Sequence, residues 1–331
     1  MKNFSKSIPA AIITCIILIF CTGYFLFIYQ KSIKQVHTIG VLPTVAFHDV
    51  IFRNCKVAML DMDYKEDENI KFIYYGSLGN EPEKIKPIVD DMIASKVDII
   101  FAMGTKMTHL VKALTDGTNI PIVFTSENPL EAGIVDNLLR PGGNLTGIYT
   151  EPSDERRFEL LTQIFPNIKK IYIPFDPTDK ASIRARTDIN HIIPQLKIEP
   201  IFCELHNNDE VNAALTAIPE GVEAIFLIPD TLVGNQRRKD FIQVALNLKI
   251  PISSQGIPEV ETDALLAYGP DLKEAGMQMA RITSQIIKGV SPGDLPCEKA
   301  HSLIGINLKF ANTIGITIPE NILMQVDYLI R

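Results

Sequence analysis

Ile120-Pro121-Ile122-Val123-Phe124-Thr125-Ser126-Glu127-Asn128-Pro129, followed by Gly133 and by Pro141-Gly142-Gly143-Asn144-Leu145-Thr146-Gly147, decides the reading of this chain. An apolar run gives way to small polar residues, Pro129 stops the strand, and a Gly-rich turn prepares the next crossing. Open α/β sheets place polar loops at the carboxyl ends of buried strands in this way, and they bind ligands there. The stretch points to a small-molecule cleft rather than to a catalytic centre.

Upstream of it, Thr38–Leu42, Ile70–Tyr75 and Val97–Ala102 read as short buried strands. Helical spacing separates the last two at Ile85, Ile88, Val89, Met92 and Ile93, and Gly104-Thr105 opens a helix to about Leu114. Downstream the pattern begins again. Strands are expected at Lys170–Pro174, Pro200–Cys203, Ala224–Ile228 and Ile250–Ser253, with helices over Glu155–Ile164, Ala181–Ile193, Asn208–Ile218 and Gly234–Leu248. Continuously apolar strands alternating with helices predict parallel sheets covered on both faces. Two such series predict an α/β fold of two doubly wound, Rossmann-like lobes with a hinge and a central ligand cleft. The chain is expected to cross between lobes near Tyr149–Glu151, and Leu265–Gly269 to carry it back. The predicted division is 38–149 with about 267–303 for one lobe, and 150–266 with about 304–331 for the other.

At 331 residues the chain is long enough for two such cores. Its net charge of −7 and mixed charge pattern show no basic face, so nucleic acid is not an expected partner. Residues 1–37 are a different material. Ile8 to Tyr29 carries no charge and is flanked by Lys2, Lys6, Lys31 and Lys34. As a helix that segment spans about 33 Å, against a hydrocarbon core of ~30 Å. It reads as an uncleaved signal anchor in the membrane; a cleaved signal and a lipidated cysteine at Cys15 or Cys21 are the alternatives. Each places the body from about Thr38 outside the cytoplasm, on the periplasmic side. The three cysteines beyond it, Cys55, Cys203 and Cys297, and the scattered histidines make neither a disulfide framework nor a metal site.

No phosphate-binding loop, nucleophile elbow or Gly-x-Gly-x-x-Gly opens a helix, so neither catalysis nor a cofactor is indicated. What recurs is a polar group just past an apolar strand: Gly104-Thr105, then Thr125, Ser126 and Asn128, then Asp179 with Ser182, then Asp230-Thr231, then Gln255. Singly, each is also what a helix cap or a turn requires. Together, at successive strand ends, they suit a small solute. Free N–H groups at a helix start favour a carboxylate, and a buried Asp such as Asp230 favours an ammonium.

These residues, with Ile39–Leu42, Lys96–Ile100, Ile120–Thr125, Pro129…Val135, Pro141–Gly147, Lys288-Gly289…Pro292…Asp294-Leu295-Pro296 and Asn307…Pro319, resemble the extracytoplasmic solute-binding proteins of ABC importers in the tryptophan/phenylalanine-binding group. The resemblance runs from about Thr38 to Ile330. It implies a type I periplasmic-binding-protein fold, a cleft that closes on an amino acid or related carboxylate, and an ABC permease as partner. It assigns Thr105 to the ligand carboxylate, Asp230 to the amino group, Ser182 to the cleft, and His48 to the pocket from a loop after the first strand. Lys106, Asn128 and Gln255 stand where the group usually has Pro, Asp and an acid. The anchor is also unusual for that group, and a membrane-anchored sensor or adaptor on the same fold is the alternative expectation.

Overall fold

The computed structural model describes residues 36–45, 47–79, 81–151, 154–254 and 263–331. The apolar segment Ile8–Tyr29 and Gln255 therefore lie outside the described residues. The strands are β1 (His37–Pro43), β2 (Ile70–Tyr74), β3 (Ile99–Met103), β4 (Ile122–Glu127), β5 (Leu145–Thr150), β6 (Lys170–Phe175), β7 (Glu199–Glu204), β8 (Ala224–Phe226), β9 (Ile252–Ser254), β10 (Leu266–Pro270), β11 (Glu298–Lys299), β12 (Ser302–Asn307) and β13 (Tyr328–Ile330). Between them run α1 (Phe47–Asp61), α2 (Pro82–Ala94), α3 (Thr105–Leu114), α4 (Asp154–Ile164), α5 (Lys180–Leu196), α6 (Asn208–Thr216), α7 (Arg238–Leu248), α8 (Leu272–Ile287) and α9 (Leu308–Ile314).

Two sheets result. The first has the order β11-β5-β4-β3-β1-β2 and is parallel throughout. The second, β13-β12-β10-β9-β8-β6-β7, is parallel except where β12 runs against β10. Both are doubly wound, with helices on each face. Alternation along the strands divides the first core in two. Val41, Phe101 and Val123 face Ile51, Cys55 and Met59 of α1 and Met279 of α8. Leu42, Ile100 and Phe124 face Ile85 and Val89 of α2 and Met107 and Val111 of α3. The second core gathers Ile171, Ile173 and Phe226 under Phe158, Ile189 and Phe241.

Several boundaries differ from the sequence reading. Thr125, Ser126 and Glu127 belong to β4, because Thr125 to Glu127 pair with Ile148 to Thr150 and only Pro129 ends the run. Leu145-Thr146-Gly147 is likewise strand rather than turn. Leu266–Pro270 does not return the chain to the first sheet: it pairs with β9 inside the second. The return comes after Pro270, through α8, which packs on α1 and leads to β11. At Gly276 a Cβ would stand 2.6 Å from the Ile51 carbonyl oxygen, so this helix pair needs glycine there.

Among the described residues the chain passes between the sheets after β5, after β10 and after β11. The passages are stitched side by side. Ala300 N–H donates to Tyr149 O at 2.8 Å, Asp271 N–H donates to His301 O at 2.8 Å, and Lys299 pairs with Glu151. Among the described residues no helix is long and apolar enough to cross a membrane.

Candidate ligand-binding cleft

In a sheet of order 2-1-3 the two connections leaving the carboxyl ends of strands 1 and 3 diverge to opposite faces and leave a crevice. The first sheet has that switch between β1 and β3, and the second has it between β6 and β8. The polar groups singled out by sequence concentrate at these two points.

In the first sheet, β1 leads into Thr44 and β3 into Gly104. Gly104 has φ of 112°, and a Cβ on it would meet Thr44 Oγ1 at 2.7 Å and His48 Cε1 at 3.3 Å, so the two strand ends touch there. The Gly104 N–H donates to the Thr125 carbonyl at 2.9 Å and to Thr125 Oγ1 at 3.2 Å. Thr105 Oγ1 lies 2.9 Å from Ser126 Oγ and accepts the Glu127 N–H at 3.3 Å. One hydroxyl cluster therefore covers the start of α3, where free backbone N–H groups and the helix dipole favour an anion. His48 is not in a loop. It sits in the first turn of α1, buried, with Nδ1 accepting the Thr44 N–H at 3.3 Å. Burial pushes its pKa down to about 4 against the pull of Asp49, which leaves a neutral ring with its proton on Nε2. Phe47, exposed beside it, has its ring 4.3 Å from the imidazole. Asn128 holds φ of 39° just past β4 and donates to Glu131 Oε2 at 2.6 Å.

In the second sheet the same positions are occupied by acids that hold backbone. Asp230, 7% exposed, accepts from the Val233 N–H, from the Gly234 N–H at 3.1 Å and from the Asp176 N–H at 3.3 Å. These bonds cap the π-type turn Thr231–Gln236 and tie the end of β6 to that of β8. Burial raises the Asp230 carboxyl above its ordinary value, and the three N–H donors oppose that rise. Asp179 caps α5 through the Ala181 N–H at 2.9 Å, and its other oxygen takes the Thr231 N–H at 3.2 Å and Thr231 Oγ1 at 3.0 Å. Ser182 is fully buried and donates to the Asp176 and Asp179 carbonyls, which makes it a brace for the loop.

The two clusters meet. From α5, Arg184 Nη2 donates to Glu127 Oε1 at 2.7 Å, and Glu127 is bound through its own N–H to Thr105. Thr105, Ser126, Glu127 and Arg184 thus form one run of contacts across the gap, and Arg184 lies one turn into α5, the helix whose capping residue Asp179 holds Thr231 beside Asp230. A depression of about 380 Å³ lined by residues such as Lys239, Ile242, Phe310 and Thr313 shares no residue with this group. Among the described residues no group of His, Cys, Asp and Glu is placed to hold a metal.

Sequence reasoning passed over Thr44, Phe47, Glu127 and Arg184 as site residues. It also passed over Arg157, which is fully buried in α4 behind the second cluster. Its guanidinium donates to Asp154 Oδ1 at 2.7 Å, Leu227 O at 2.6 Å and Ser253 Oγ at 3.1 Å, and lies 3.9 Å from the Phe226 ring centre. It fixes the carboxyl ends of β8 and β9. In an Asp-Glu-Arg-Arg run, nothing in the local sequence marks this arginine as the buried one.

Residues 48–330 match the family described as ABC transporter substrate binding protein. A tyrosine-binding protein of Clostridioides difficile (strain R20291) is 26% identical over 240 residues, covering 72% of this chain and 68% of its own. Two solved structures share the fold. One is an ABC domain in complex with L-Trp from Streptococcus pneumonia, at TM-score 0.72 and 23% identity over 89% of this chain and 100% of that one. The other is a ligand-free, open substrate binding protein with adhesive properties from Clostridium difficile, at TM-score 0.74 and 21% identity over 89% and 99%. The architecture is the type I periplasmic-binding-protein fold that the resemblance implied. The chain belongs to the ABC transporter substrate binding protein family, whose members bind solutes and are not enzymes.

Proposed function

We propose that this protein is the solute-binding component of an ABC importer, that it takes an aromatic amino acid between its two lobes, and that it delivers the ligand to a membrane permease. The single observation that carries this reading is the Arg184–Glu127 bond, which brings the Thr105–Ser126 strand ends of one sheet up to the helix capped by Asp179, itself bonded to Thr231 beside Asp230. Its parts suit a zwitterion. The start of α3, with the Thr105 and Ser126 hydroxyls, offers donors to a carboxylate; Asp230 and Asp179 offer acceptors to an ammonium. Neutral His48 and exposed Phe47 add an apolar and hydrogen-bonding wall. Burying ~150–250 Å² of an aromatic side chain contributes about 4–6 kcal/mol, so the walls supply affinity while the polar groups choose the ligand class. The relative that binds tyrosine and the fold relative that holds L-Trp favour the same class.

Proteins of this family work outside the cytoplasm, and Ile8–Tyr29 would tether the body to the outer side of the cytoplasmic membrane. That tether also fits a sensor, and an adjacent permease and ATPase gene pair, as opposed to a kinase or cyclase, separates the two. The test of ligand class is a thermal-shift screen of the full chain against the amino acids and small carboxylates. A ligand at a hundredfold excess over Kd stabilises by about 2.7 kcal/mol. A clear rise in Tm with tyrosine, tryptophan or phenylalanine is expected, and no rise with any of the three overturns the proposal.

A further inference from the structure

Arg184 stands between two carboxylates carried by different parts of the molecule. Across the gap its Nη2 donates to Glu127 Oε1 at 2.7 Å, at the end of β4. Four residues further along α5 is Asp188, and residues at i and i+4 of a helix are neighbours on its surface. Asp188 Oδ2 is buried with no hydrogen-bond partner, and so is Arg184 Nε. An unsatisfied donor and an unsatisfied acceptor of opposite charge therefore sit one helical turn apart. Unpaired buried groups carry a free-energy cost, which a rotation of Arg184 toward Asp188 would relieve. In the present arrangement the cross-gap bond to Glu127 competes for the same guanidinium. Burial raises the Asp188 carboxyl, Arg184 opposes the rise, and Glu155, Asp154 and Glu131 add to it. Glu131, which follows β4, faces Asp188 from the other lobe.

We propose that Arg184 is a two-position positioning residue of the cleft: it grips Glu127 when the lobes are together and turns back to Asp188 when they part. The inference rests on the reading of the cleft as the ligand site. Closing exchanges one ion pair for another, so the balance between the two states is nearly even. A ligand then has only a small difference to overcome in shutting the cleft. The pair is about one third exposed, with side-chain exposures of 33% for Arg184 and 38% for Glu127, so solvent still screens it. Such pairs shift an equilibrium by small factors, about two- to fivefold.

The experiment titrates L-tyrosine calorimetrically into the full-length chain and its variants, and follows compactness by small-angle X-ray scattering. E127Q should weaken binding about two- to fivefold and expand the free protein, because the closed-state partner is lost. D188N should tighten binding by a similar factor and compact the protein, because the open-state partner is lost. In an R184Q background D188N should have no effect, while R184K should restore part of the wild-type response. Shifts of the same sign in E127Q and D188N would overturn the proposal. So would a D188N effect that persists without Arg184, which would trace to relief of repulsion from Glu131. If the wild type binds no aromatic amino acid, the proposed ligand class fails, and the opposite scattering changes in E127Q and D188N still decide the Arg184 exchange.

Discussion

Replacing Asp230 separates what that residue does for the fold from what it does for a ligand. Its two carboxylate oxygens accept three backbone N–H groups, from Val233, Gly234 and Asp176. Asp230→Ala removes all three acceptors at a 7%-exposed position. Loss of a cap costs about 0.5–2 kcal/mol, and an orphaned buried donor adds about 1 kcal/mol. A fall of about 2–3 kcal/mol lowers Tm by roughly 5–10 °C in a unit of this size. Asp230→Asn keeps the oxygen that caps the turn and turns an amide toward the Asp176 N–H, so it loses about 1 kcal/mol and a few degrees. Both variants lack the negative charge that a ligand ammonium would meet. A charge-assisted hydrogen bond of about 1.5–3 kcal/mol corresponds to a tenfold to hundredfold loss of affinity. Scanning fluorimetry and calorimetry with L-tyrosine read the two effects separately. The asparagine variant is the decisive one: near-native Tm with affinity reduced at least tenfold is expected, and unchanged affinity would show that Asp230 serves the scaffold alone.

His48 makes stability depend on pH with a defined sign. Its folded pKa of about 4 lies below the ordinary value near 6.5, so between those values the unfolded chain binds a proton the folded one refuses. Stability should fall by about 3 kcal/mol as pH drops through that window, and His48→Gln should flatten that part of a Tm–pH curve; parallel curves would contradict the assignment. Gly104→Ala forces a side chain into φ of 112° against Thr44 and His48. It should cost about 1–3 kcal/mol and weaken ligand binding, and a variant with wild-type Tm and affinity would show that the strand ends are looser than described. Arg157→Met leaves Asp154 buried without its cation and should lower stability by about 3–5 kcal/mol in denaturant unfolding; a loss under about 1 kcal/mol would mean that water takes over the role. Thr105→Val removes the hydroxyl bound to Ser126 and Glu127 and should weaken ligand binding severalfold while moving Tm little. Unchanged affinity there would take the start of α3 out of the ligand contact.

The alternation of βα units was legible because fully buried parallel strands appear as uninterrupted apolar runs. The strand ends were legible because Pro, Gly and small polar residues interrupt them. Local rules ran out where pairing decided. Thr125–Glu127 looks like a loop in isolation, yet β5 extends the ladder through it. Where the sequence reading expected one helix from Gly234, a π-type turn over Thr231–Gln236, capped by Asp230, precedes α7. His48 begins a helix that the short connection after β1 concealed. The helix Leu272–Ile287 does carry local signals, an Asp271 cap and buried residues at helical spacing, that the sequence reading passed over, whereas the placement of β10 in the second sheet depends on pairing that no window of sequence contains. The residues of the candidate site were visible as polar groups after strands, but the partners that give them roles were not. Arg184 and Glu127 are 57 positions apart, and Arg157 reaches Ser253 across 96. In each case one charged residue in an ordinary helix acquires its meaning from the strand end it meets.

The most direct test of the central claim is a crystal structure of the protein with L-tyrosine or L-tryptophan bound. Ligand density is expected between the start of α3 and the Asp230 turn, with the carboxylate against Thr105 and the ammonium within hydrogen-bond distance of Asp230. Ligand seated on one lobe only, or at the depression beside Phe310, would contradict it.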